Sequence, residues 1–242
     1  MTDALTPRPT PRPAPTCTPV VFIPALLCDE QLYRDVIAEL GGAINAHVML
    51  SPGPRLEDSA ADILARAPAT FALVGTSYGG NLALEVALAA PHRVTALWLM
   101  GCNPAAPETG GPDLAGGLEA TPDAVIDMLA GLVVHKDAAA AATTFKAMAG
   151  RVGGKAGAAQ ARALGARREA TSRLGALTMP ALVLWGEADA LVPVATGRAL
   201  ASALPRAQFE VLKACGHLPT LEQPAASTTL FRTLLAAATA QR

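Results

Sequence analysis

The sequence has little charge of any kind and almost no net charge. Of 242 residues, 19 are Lys or Arg and 20 are Asp or Glu, giving a formal net charge of −1 and only 16% charged residues. The basic residues are scattered, which argues against a nucleic-acid footprint or an electrostatic membrane anchor. No uninterrupted apolar run approaches the roughly 20 residues that would span a bilayer. The opening MTDALTPRPTPRPAPT lacks the apolar centre of a signal peptide. Four cysteines, at 17, 28, 102 and 215, include no pair with the spacing of a zinc knuckle or a redox dithiol. No metal site is therefore expected, and the thiols read as reduced and mostly buried. These absences leave a soluble, cytoplasmic protein whose partner is a small, largely uncharged molecule. With 51% hydrophobic residues, the chain fits one large α/β domain better than two very small ones.

Residues 1–18 alternate Pro with Thr, Arg and Ala, a composition that favours extended, solvated backbone, and they read as a disordered arm. Beyond them, short apolar runs alternate with amphipathic stretches, the rhythm of a parallel sheet covered by helices on both faces. The runs at Val20 to Ile23, Ala46 to Leu50, Phe71 to Val74, Val94 to Met100, Ala181 to Trp185 and Phe209 to Leu212 predict six strands. Helices are expected at Asp29 to Leu40, Ser59 to Ala67, Tyr78 to Ala89, Ala195 to Ala203 and Ala225 to Ala238, three of them closed by Pro68, Pro91 and Pro205. From Asn103 to about Leu177 no strand is credible, and stretches such as TPDAVIDMLAGLV predict helices only. The expected organisation is a core of residues 19–102 and 178–242 with a helical cap of residues 103–177 inserted after the fourth strand. Ligands of open parallel sheets bind beyond the carboxyl ends of the strands, so this insert would lie over that edge as a lid.

Gly75-Thr76-Ser77-Tyr78-Gly79 joins a predicted strand to a predicted helix, the context of a G-x-S-x-G nucleophile elbow. Glycines suit such a turn because side chains at the flanking positions would collide with the neighbouring strand and helix. Alone, the motif is equally a glycine turn with Ser77 as a helix cap. A serine hydroxyl is a weak nucleophile that needs an imidazole to take its proton and a carboxylate to hold that imidazole. Asp189, in WGEADALVP, and His217, in ACGHLPTLEQP, each follow a predicted strand, so both fall at the same sheet edge as Ser77. Glu187 is a rival carboxylate, but the spacing of Gly186 to Pro193 favours Asp189. His47, His92 and His135 fall in a strand, a loop and the cap, where structural or solvated roles suffice.

Taken together, PALLCDEQLY, GTSYGG, PHRVTALWL, MPALVLWGEADALVP and CGHLPTLEQP resemble the α/β-hydrolase superfamily, in particular its short bacterial esterase-like members, over roughly residues 19–238. The resemblance implies an α/β-hydrolase fold, an about six-stranded, mostly parallel sheet flanked by helices. It also implies Ser77 as nucleophile, Asp189 as acid and His217 as base, the three residues that strand placement selects. The oxyanion hole needs two backbone N–H groups. Tyr78, at the start of the helix after Ser77, supplies one. Alignment of Pro24-Ala25-Leu26 with the family's usual His-Gly-X implies Leu26 as the other. Here Pro stands for the histidine and Ala for the glycine, so a left-handed backbone at this glycine position would strain Ala25 by about 1 kcal/mol.

Leu26, Leu27, Tyr78, Leu191, Val192 and Leu218 are expected pocket walls, an apolar lining suited to a neutral acyl group. Arg167 and Arg168 could be recruited to an anion but read equally well as a solvated helix face. The expected activity is hydrolysis of carboxylic esters of small to medium neutral acyl groups, with no cofactor. A thioesterase, lactonase, C–C bond hydrolase or perhydrolase would use the same triad. An acyltransferase, a lyase or a non-catalytic binding protein on the same fold are further alternatives.

Overall fold

The computed structural model describes residues 17–51, 53–107 and 110–240. The proline-rich arm up to residue 16 lies outside the described residues. The expected boundary at residue 18 is corrected, because Thr18 already pairs with Ile44 in the sheet.

Among the described residues, six strands form one all-parallel sheet: β1 (Thr18–Ile23), β2 (Ile44–Val48), β3 (Phe71–Thr76), β4 (Val94–Met100), β5 (Ala181–Gly186) and β6 (Ala207–Leu212), in the spatial order β2-β1-β3-β4-β5-β6. The residues of β3 and β5 are buried throughout, because helices cover both faces, and such strands read as continuous apolar runs. β6 alternates between partly buried and exposed residues, as an edge strand covered on one face does. The chain leaves β1 toward β2 and returns to the other side of β1 for β3. The crevice beyond the ends of β1 and β3 is thus the switch point at which open sheets bind ligands.

Flanking the sheet are α1 (Arg34–Leu40), α2 (Leu56–Arg66) and α3 (Tyr78–Ala89). The stretch expected as one helix from Asp29 splits: Glu30–Tyr33 is a 3-10 turn capped by the Asp29 carboxylate, which accepts from the Gln31 N–H at 3.0 Å. Between β4 and β5 lie α4 (Leu114–Ala120), α5 (Pro122–Ala130), α6 (Ala139–Val152) and α7 (Gly154–Gly165), all helical as the sequence predicts. After β5 come α8 (Val194–Ala203), the short α9 (Pro219–Glu222) and α10 (Pro224–Thr239).

Two apolar layers hold the sheet. On one face Trp98 stacks on Phe231 with ring centroids 4.6 Å apart, and Phe22 packs against both Tyr33 and Phe231. This layer continues into the insert through Leu118, Ile126, Phe145 and Met148. The other face carries α2, α3 and α8 around Leu73, Leu97, Val183 and Trp185. Polar links also tie the insert to the core. Arg151 of α6 forms a two-pronged ion pair with the buried Asp29, at 2.7 and 3.1 Å, and Arg173 reaches Glu85 at 2.8 Å. Among the described residues no helix is long and apolar enough to cross a membrane.

The thiols follow this burial. Cys28, Cys102 and Cys215 are buried and Cys17 is exposed. Burial pushes the Cys102 thiol up to about 12, and raises Cys28 and Cys215 as well, so none of the three offers thiolate near neutral pH. An Ellman titration of the native protein is expected to find one reactive thiol, Cys17, and four after denaturation. Rapid modification of a second thiol in the native state would contradict this packing.

Candidate active site

Ser77 joins β3 to α3 with φ 56° and ψ −116°, a strained backbone for a non-glycine residue. Three features enforce it. Its N–H donates to the Met100 carbonyl at 2.7 Å, its carbonyl accepts from the N–H of Asn81, and α3 presses close to β1. A Cβ at Gly79 would overlap the carbonyl oxygens of Ile23 and Pro24, and one at Gly75 would overlap that of Gly79. The two glycines of the motif are therefore required by close backbone approach. Beneath the elbow, the buried Tyr33 hydroxyl donates to the Ile23 carbonyl at 2.9 Å and accepts from the Thr76 hydroxyl at 2.8 Å, tying the ends of β1 and β3 together. Burial raises the Tyr33 hydroxyl above its ordinary value, which keeps it a donor.

Asp189 sits in the turn after β5 and His217 in the loop after β6. His217 Nδ1 lies 2.7 Å from Asp189 Oδ2, with both side chains almost fully enclosed. A carboxylate offers only acceptors, so in the neutral imidazole the proton of this bond sits on Nδ1 and the lone pair on Nε2. The other carboxylate oxygen accepts from the N–H groups of Leu191 and Val192, each at 2.9 Å, which fixes the Asp189 rotamer. Glu187, the rival carboxylate, is exposed. Nε2 of His217 is buried and, among the described residues, has no hydrogen-bond partner. The imidazole rests over Gly101, which follows β4 with φ 55°; a Cβ there would come within 2.6 Å of the ring.

Ser77 and His217 line one cavity of about 210 Å³ together with Leu26, Leu191, Val192 and Leu218. Its remaining wall includes Leu129, Val133 and Phe145 of the insert. Helical periodicity foretells the helices of Leu129 and Phe145 but not which of their faces meets the sheet, and Val133 lies in the loop after α5, so none of the three is assigned from sequence. Leu27 is corrected: it is fully buried outside the cavity, with its side chain under Gly157 of α7 and its N–H donated to the buried Gln160 Oε1 at 3.0 Å. The strain expected at Ala25 falls instead on Leu27, at φ 61°. Tyr78 places its backbone at the first position of α3, where an N–H has no intrahelical partner. Its side chain is no pocket wall, because its hydroxyl turns away to the Ser51 carbonyl at 3.3 Å.

Ser77 also borders a second, more polar compartment of about 400 Å³ lined by Asn81, Asn103, Arg167 and Thr196. Arg167 is anchored there by the carbonyls of Ala105 and Leu164, both at 3.0 Å. Arg168 points elsewhere and pairs with Glu57 at 3.1 Å. Among the described residues there is no group of three or more His, Cys, Asp or Glu that could hold a metal ion.

The model of the alpha/beta hydrolase family matches residues 10–228 of the chain. A pimeloyl-(acyl-carrier protein) methyl ester esterase from Aromatoleum aromaticum is 32% identical over 196 residues, 71% of this chain and 76% of that protein. A 2-hydroxy-6-oxononadienedioate/2-hydroxy-6-oxononatrienedioate hydrolase from Cupriavidus pinatubonensis is 31% identical over 60% of this chain, a match spanning only 55% of its own length. Among solved structures, a thermophilic esterase from Thermogutta terrifontis superposes with a TM-score of 0.80 at 22% identity, covering 92% of this chain and 91% of that one. An enol-lactonase from Burkholderia xenovorans does so with 0.81 at 18% identity, covering 91% and 92%. These two likenesses speak to the fold alone.

Proposed function

Because the chain belongs to the alpha/beta hydrolase family, we propose that it is a serine hydrolase that cleaves carboxylic esters of small to medium acyl groups through an acyl-enzyme. One observation carries this reading. The Nδ1 of His217 is held by Asp189 at 2.7 Å, while its unpartnered Nε2 belongs to a residue that lines the same cavity as Ser77.

In this reading the Ser77 hydroxyl attacks the ester carbonyl as its proton passes to His217 Nε2. Asp189 keeps the imidazole in the receptive tautomer and stabilises the imidazolium that forms. The N–H groups of Tyr78 and Leu26 receive the oxyanion, and the dipole of α3 adds to the former. His217 then protonates the departing alkoxide, and water brought in through the same imidazole releases the acid and restores Ser77. The apolar cavity takes the acyl chain, the compartment lined by Asn81, Asn103 and Thr196 takes the alcohol, and the helical insert acts as the lid. Arg167 in that compartment favours a second reading, hydrolysis of a carbon–carbon bond in a carboxylate-bearing substrate; the Cupriavidus relative is named as the hydrolase of such a dicarboxylate.

Hydrolysis of p-nitrophenyl esters from acetate to palmitate tests the first reading. Rates are expected to peak at short to medium chains, because a 210 Å³ cavity cannot hold palmitate. No turnover of any ester in the series would remove the carboxylic ester as the substrate class.

A further inference from the structure

The site contains a carboxylate to which the triad assigns nothing. Glu222, the last residue of α9, directs its side chain at three backbone donors from two separate parts of the chain. Oε2 accepts from the N–H of Gly216 at 2.9 Å and from that of His135 at 2.7 Å, and Oε1 accepts from the N–H of Leu218 at 3.2 Å. Gly216 and Leu218 flank His217. The His217 N–H itself donates to the Val133 carbonyl at 3.1 Å, in the same loop of the insert that contributes His135. Three consecutive N–H groups are thus all committed, two to Glu222 and one to the insert.

A carboxylate can hold this arrangement and a neutral side chain cannot do so equally well. It has two acceptor oxygens and no donor, and its bonds to N–H groups are charge-assisted and stronger than neutral ones. An amide at the same position would turn an NH₂ group toward one or more backbone donors. The imidazole between these anchors has no room to drift, since Gly101 lies beneath it and Asp189 holds Nδ1. Glu222 is not one of the residues that line the cavity shared by Ser77 and His217.

We propose that Glu222 is the positioning residue for His217, and that through His135 it makes the placement of the imidazole depend on the seating of the helical insert. This rests on the reading of His217 as the base for Ser77. Misplacing a proton acceptor by a fraction of an ångström weakens proton transfer without changing substrate affinity. Its loss should therefore register in kcat and not in KM.

The test compares the wild-type chain with Glu222→Gln and Glu222→Ala in two assays: the rate of labelling by a fluorophosphonate probe, and turnover of p-nitrophenyl butyrate per titrated active site. Labelling and kcat are expected to fall together, by about 10-fold for Gln and about 100-fold for Ala, with KM within about 3-fold of wild type. A purely structural role would reduce the fraction of active protein and leave the rate per titrated site unchanged. That result, or a change in KM alone, overturns the proposal. If the alanine variant does not fold, the glutamine variant decides. Wild type that resists the probe overturns the triad reading and this proposal with it, whereas labelled wild type beside unaffected variants overturns the role of Glu222 alone.

Discussion

Replacing Ser77 with alanine is expected to lower kcat for p-nitrophenyl butyrate by at least about four orders of magnitude, because the acyl-enzyme route loses its only nucleophile and what is left is positioning and the oxyanion donors. The protein should fold as before. The constraints that hold position 77 in its left-handed backbone are the Met100 carbonyl, the turn into α3 and the tight passage of Gly79 beneath β1, and none involves the hydroxyl. Alanine meets the same backbone strain as serine, so the change in stability should stay within about 1 kcal/mol. Thermal melting, fluorophosphonate labelling and turnover measured on one preparation separate the effects. The expected result is an unchanged melt, no labelling and residual turnover near background. Undiminished hydrolysis in the folded variant would place the nucleophile elsewhere.

Much of this site is legible in the chain because it is built locally. β3, β4 and β5 are covered on both faces, so their runs of Val, Leu, Ala and Phe stand out without a partner being known. Ser77, Asp189 and His217 each follow such a run or its neighbour, and a parallel sheet brings the ends of all its strands to one edge. The boundaries drift where one face is open. β2 starts at Ile44 and β6 at Ala207, each two residues before its apolar run, because the exposed Asn45 and Gln208 that follow them interrupt the apolar pattern.

What was illegible depends on contacts distant in sequence. Leu26 and Leu27 are adjacent leucines with opposite fates, one in the cavity and one under α7, where its N–H is held by Gln160, 133 residues further on. The carboxylate of Glu222 lies in plain view within CGHLPTLEQP, yet its partners include the N–H of His135, 87 residues away. Gly101 looks like any glycine after a strand until the His217 ring is found above it. Local pattern thus names the groups proposed for the chemistry, while the groups that hold them in place emerge only from the packing.

The second large effect follows from that packing. Gly186→Ala, at the end of β5, is expected to lower both stability and turnover. The added methyl would overlap the carbonyl oxygens of Gly216 and Cys215, on the strand-to-histidine loop. Those atoms have nowhere to go: behind them, a Cβ built on Gly216 would already come within 2.6 Å of the Val134 and His135 backbone. Hydrogen bonds from Glu187 to Leu212 and from Ala188 to Cys215 lash the turn carrying Asp189 to the segment carrying His217. Pushing the loop off β5 therefore strains the very connection that sets the Asp189–His217 distance. Overpacking against backbone costs about 3 kcal/mol, or a melting temperature lower by about 6–12 °C in a chain of this size. A displacement near 1 Å in the base should cost about 100-fold in kcat. Gly150→Ala is the control, since beyond its own helix turn nothing among the described residues lies within 4 Å of its added Cβ in α6, and alanine is the better helix former. That change should raise stability by up to about 1 kcal/mol and leave kcat unaltered. Wild-type stability and turnover in Gly186→Ala would mean that the histidine loop is free to retreat, and that neither β5 nor the insert fixes the position of the His217 imidazole.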